Sequence, residues 1–66
     1  LLKDFDIEKP PINTDVLILV KDGEIKFFDV GLWNGDINGF CKGWETNSDG
    51  SKYCDIIKWD YLPPID

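Results

Sequence analysis

Apolar residues in this chain come in short runs of strand length, divided by stretches rich in Gly, Asp and Pro, and no segment sustains a helical period. Asp15 to Val20 reads DVLILV, an unbroken run whose lack of alternation predicts a central strand covered on both faces. Lys21-Asp22-Gly23 follows as a hairpin signal, because Asp-Gly tolerates the positive φ of a tight turn. Glu24 to Val30 then returns antiparallel, with Ile25 and Phe27 on one face and Phe28 and Val30 on the other. Phe40 to Thr46 predicts a shorter third strand. Tyr53 to Leu62 predicts the closing one, ended by Pro63-Pro64, which remove two backbone donors.

The remaining segments read as connections. Phe5 and Ile7 alternate with charge ahead of Pro10-Pro11, which forbid helix and impose an extended path. Gly31 to Gly39 has the composition of a loop or a bulged continuation of a strand, and Asn47 to Ser51 that of a turn. The fold class expected is mostly β: a small twisted antiparallel meander of about four strands, partly rolled, with little or no helix. A chain of 66 residues has room for a single small β domain over 1–66. Leu17, Leu19, Phe28 and Val30 would leave the second face of such a sheet apolar, so either strong curling into a small barrel or a homodimer sharing that face is expected.

Composition narrows the function classes. Seven Lys, no Arg and thirteen acids give a net charge of −6, which disfavours general affinity for nucleic acid phosphates and suits a basic protein partner or solubility alone. Aromatic residues at 14% and apolar residues at 42% are enough to fold despite 30% charge. A start at Leu1 without Met suggests a processed end, a trimmed tag or missing residues, and Leu1-Leu2 is too short for a signal or membrane segment, so a cytosolic protein is expected.

The closing strand also carries a resemblance. Ile57-Lys58-Trp59-Asp60-Tyr61-Leu62-Pro63-Pro64 resembles the final signature, Val-Thr-His-Trp-Met-Pro-Leu-Pro, of short phage and prophage proteins of the domain of unknown function 551 type. Further counterparts are Pro10-Pro11, Val16 to Val20, Asp22-Gly23 and Gly31-Leu32-Trp33, so the resemblance covers most of the chain. Lys58 stands where the family usually has His, and Asp60-Tyr61 replaces Met-Pro. The resemblance implies a phage or prophage source, acting in the host cytosol, and little chemistry.

Catalytic groups are sparse. The chain has no His, so the commonest general base and metal ligand is absent. Ser48 and Ser51 have no identifiable base, and the acids are spaced as surface charge. No EF-hand ligand pattern and no phosphate-cradling glycine motif is present, and two cysteines cannot fill a zinc site, so neither metal nor cofactor is expected. In a symmetric hairpin Cys54 would face a residue near Trp44 or Glu45, leaving Cys41 out of register, so buried free thiols are expected in place of a disulfide.

Binding remains. Trp33 and Trp44 lie beside flexible glycines and are the better candidates for a ligand platform, whereas Trp59 reads as core. Lys42 and Lys58 offer charge for a phosphate, and Asn34 and Asn38 polar edges, so Trp33, Asn34, Asn38, Lys42, Trp44 and Lys58 form the candidate nucleotide site. The competing reading has the rings fill a small core. Two function classes follow: a non-enzymatic phage counter-defence protein that sequesters a nucleotide-type signalling molecule, or an acidic phage protein that blocks a basic host protein. A plain phage accessory module is a third.

Overall fold

The computed structural model describes residues 1–46 and 54–64. The expected Asn47 to Ser51 turn, Lys52 and Tyr53 lie outside the described residues. Five strands form one open antiparallel sheet: β1 (Lys3–Asp4), β2 (Val16–Asp22), β3 (Ile25–Trp33), β4 (Trp44–Thr46) and β5 (Ile56–Tyr61), in the spatial order β1-β5-β2-β3-β4. Among the described residues the one helical element is a 3-10 turn over Phe40–Gly43. The mostly β expectation holds. The strand expected from Phe40 starts only at Trp44, because Cys41 (φ 53°) and Lys42 (φ 54°) are left-handed and curl the chain.

The β2–β3 hairpin forms where the sequence places it. Asp22 pairs with Ile25, so Gly23 and Glu24 are the two turn residues, and the positive φ falls on Gly23 (62°), the first of them. β2 is the central strand, flanked by β3 and β5. Its burial nonetheless alternates: Val16, Ile18 and Val20 are buried, whereas Leu17 and Leu19 are half-buried. One face is therefore the core and the other is only partly covered.

The core face gathers Phe5, Val16, Ile18, Val20, Trp33, Trp44, Ile56 and Trp59, with Phe27 packed against them. An N-terminal arm lies across it. Phe5 continues the pairing of β1 with β5 through its N–H to the carbonyl of Ile57 (3.3 Å). The Trp59 indole donates to the carbonyl of Glu8 (2.7 Å), Pro10 is buried, and Asn13 N–H reaches the carbonyl of Trp33 (2.8 Å). The arm turns at once after β1, where the Ile7 and Glu8 N–H groups donate to the Asp4 carbonyl (3.1 and 2.8 Å), and Pro10-Pro11 then bar a helix as the chain crosses the tryptophans to the other side of the sheet.

The sheet is rolled. β1 and β4 are its opposite edges, yet the Phe5 ring beside β1 lies 5.1 Å from the Trp44 ring of β4 and 5.6 Å from that of Trp33. A bulge contributes to the curvature: Leu19 pairs with Lys58 but Val20 with Ile56, leaving Ile57 as the extra residue on β5.

Candidate functional site

Rolling leaves a seam between the two edges, and a cavity of about 240 Å³ opens there. Asp4, Phe5 and Asp6 line it from the β1 side, Lys42 and Trp44 from the β4 side, and Cys54 to Lys58 from the start of β5. Three segments remote in sequence therefore meet at one place. Of the six residues expected to form a site, Lys42, Trp44 and Lys58 are brought together on this cavity, while Trp33, Asn34 and Asn38 are not among its lining residues.

The tryptophans divide between core and site. Trp33 and Trp44 are 8% and 5% exposed, so neither presents an open stacking platform. Trp33 secures the loop instead, its indole donating to the Lys42 carbonyl (2.9 Å). Trp44 lines the cavity, and its buried indole N–H has no hydrogen-bond partner among the described residues. Leaving such a donor unmatched costs about 1–3 kcal/mol.

Lys42 is held in place by strained backbone. Cys41, Lys42 and Gly43 run through φ values of 53°, 54° and 84°, three left-handed residues in succession of which glycine is one. Each left-handed non-glycine residue costs about 1–2 kcal/mol. The surroundings over-determine the geometry: Lys42 N–H donates to the Gly39 carbonyl (2.9 Å), and Asn34 N–H to the Gly43 carbonyl (2.8 Å). Asn34 Oδ1 in turn accepts from Asp36 N–H (2.9 Å), and Asp36 Oδ1 from Asn38 N–H (3.0 Å). Asn34 and Asn38 thus shape the loop that presents Lys42, with both residues exposed.

The cysteines correct an expectation. Cys41 and Cys54 form a disulfide, with Cα atoms 4.3 Å apart, and are not free thiols. Two features of the fold bring the thiols together. The 3-10 turn draws Cys41 out of the assumed strand, and β5 pairs with β1 and β2, so Cys54 is never placed opposite Trp44 or Glu45. The bridge crosses the seam beside the cavity, joining the lead into β4 to the lead into β5.

Electrostatics in the cavity are mixed, with two lysines against Asp4, Asp6 and Asp55. Away from the cavity, Asp60 is held below the ordinary carboxylate range by the Tyr61 backbone N–H (2.7 Å) and by the Lys3 ammonium (3.2 Å). Among the described residues no group of three or more His, Cys, Asp or Glu side chains could hold a metal ion, and no helix is long and apolar enough to cross a membrane.

Phe5, Ile56, Ile57 and the three aspartates were missed as lining residues, because only the β1–β5 pairing and the roll bring them to Trp44. Comparison of the chain with family models, with curated proteins and with solved structures found no match. The resemblance to domain of unknown function 551 therefore rests on its short motifs.

Proposed function

We propose that this chain is a non-enzymatic phage or prophage counter-defence protein that acts in the host cytosol by sequestering a nucleotide-type signalling molecule. The observation that carries the reading is the convergence of Lys42, Trp44 and Lys58 on one cavity. Two ammonium groups suit a phosphate, and Phe5, Trp44, Ile56 and Ile57 supply apolar surface for a base. Asp4, Asp6 and Asp55 can accept from ribose hydroxyls or an exocyclic amine. With three carboxylates beside two lysines, the balance favours a ligand of low phosphate charge over a triphosphate.

Calorimetry and thermal shift against a panel of nucleotides and cyclic nucleotides test this. A ligand at 100 times its dissociation constant adds about 2.7 kcal/mol of stability. Lys42→Ala and Lys58→Ala should each weaken binding at least tenfold while leaving the melting temperature of the free protein within a few degrees. Folded protein that responds to no member of the panel sinks the reading. The reducing cytosol bears on the Cys41–Cys54 bridge, so both redox states belong in the panel.

A second reading is favoured by the net charge of −6 and by exposed carboxylates at Asp22, Glu24, Asp36 and Glu45. In it the acidic surface blocks a basic host protein, and a salt-sensitive pull-down in the absence of any nucleotide response would select it. A phage accessory module would show neither.

A further inference from the structure

The outer face of the sheet, opposite the core, bears an apolar centre. Strand alternation places Leu17 and Leu19 of β2 there with Val30, Phe28 and Leu32 of β3, and Phe28 is 57% exposed while the other four are half-buried. Charge on this face is graded along the strands. Lys21 and Lys26 pair with each other at the hairpin end, and Lys58, whose β1 partner is Asp4, lies next to Leu19. Toward the other end the exposed Glu45 pairs with Leu32, and Asp60, bridged to Lys3 at 3.2 Å, pairs with Leu17. Basic and acidic ends thus bracket a row of apolar side chains.

Such a gradient is complementary to itself when reversed. Two copies stacked through this face, related by a two-fold axis perpendicular to the strands, set the lysine end of each over the acidic end of the other and Phe28 against the partner's leucines and valine. The alternative two-fold, parallel to the strands, would put lysines over lysines. An interface of standard size needs roughly 600–800 Å² from each copy, a modest fraction of the 4680 Å² accessible surface.

We propose that the outer face of the β2–β3–β5 sheet is the interface of a symmetric homodimer with antiparallel strands, its orientation set by Lys21 and Lys26 facing Glu45 across the two-fold axis. Its occupant is a second copy of this chain, because an isologous contact requires one patch to carry both halves of the complementarity. The apolar row lies opposite the core that the N-terminal arm covers, and Lys58, which also lines the cavity, stands at the margin of this face.

Sedimentation velocity on the intact, oxidised chain over a concentration series tests the proposal. The expected result is a species of twice 7.6 kDa that dissociates on dilution. Phe28→Glu should give a monomer with an unchanged circular dichroism spectrum, since the side chain is exposed. Lys21→Glu with Lys26→Glu should weaken the dimer by roughly tenfold or more, and adding Glu45→Lys should recover most of the loss. A strict monomer at every concentration, with or without a bound host protein, overturns the proposal. So does a dimer indifferent to Phe28→Glu, which would place the contact on another surface, or one weakened by the lysine changes that Glu45→Lys does not restore.

Discussion

Breaking the Cys41–Cys54 bridge should have a large effect for so small a domain. The two residues are 13 apart in sequence, and the chain-entropy relation for a loop of that size gives about 3 kcal/mol of stabilisation through restriction of the unfolded chain. Set against a total of about 3–10 kcal/mol, from ~0.05–0.15 kcal/mol per residue, the bridge supplies between a third and all of the margin. At about 4–8 °C per kcal/mol for a domain in this size range, its loss should lower the melting temperature by some 12–24 °C. The native cost adds to this, because the left-handed backbone at Cys41 and Lys42 loses one of its anchors. The assay is paired urea unfolding of oxidised protein, reduced protein and Cys41→Ser/Cys54→Ser, with intact mass measured to count thiols. Reduced and double-variant proteins should agree and both fall short of the oxidised form. Equal midpoints in all three, or native protein that is fully thiol-reactive without denaturant, would refute the reasoning.

Other predictions follow from single residues. Trp59 is fully buried and its indole holds the N-terminal arm at Glu8, so Trp59→Ala should cost about 3–5 kcal/mol and abolish the native near-ultraviolet circular dichroism signal. Trp59→Phe should retain the fold with a lower denaturation midpoint. At Gly43 a Cβ would stand 2.6 Å from both Asn34 Oδ1 and the Asp36 carbonyl oxygen, on a φ of 84°. Gly43→Ala should therefore destabilise by about 1–3 kcal/mol and, by moving Lys42, weaken ligand binding more than stability, as calorimetry would show. Asp60 has a lowered folded pKa through its bonds to Tyr61 N–H and Lys3. The stability it confers is complete above the ordinary carboxylate range and is lost as pH falls through the lowered value. Asp60→Asn should flatten the acid limb of a pH titration of the melting temperature in that window and leave neutral pH less affected by acidification.

Much of the sheet was legible in the chain. The run Val16 to Val20, the Gly23 turn and the proline stop after Leu62 are local signals, and β2, β3 and the end of β5 follow them closely. What was not legible depends on contacts far apart in sequence. No local pattern says that β5 lies between β1 and β2, and the bulge at Ile57 is set by that placement. The left-handed Cys41 and Lys42 are also unannounced, since neither residue type favours that conformation. Those two facts hid the disulfide. They also divided the expected site: Lys42, Trp44 and Lys58 meet on the seam, whereas Trp33 was read as a platform from its glycine neighbours and serves to buttress the loop.

Because β5 sits between β1 and β2, the first strand hydrogen-bonds to the sheet only through a segment far away in sequence. Residues 56–61 also bring Ile56 and Trp59 to the core, so β2, β3 and the three-residue β4 without them are a small sheet whose apolar face is left open. The N-terminal arm and the core therefore gain their order together, when β5 docks against β2.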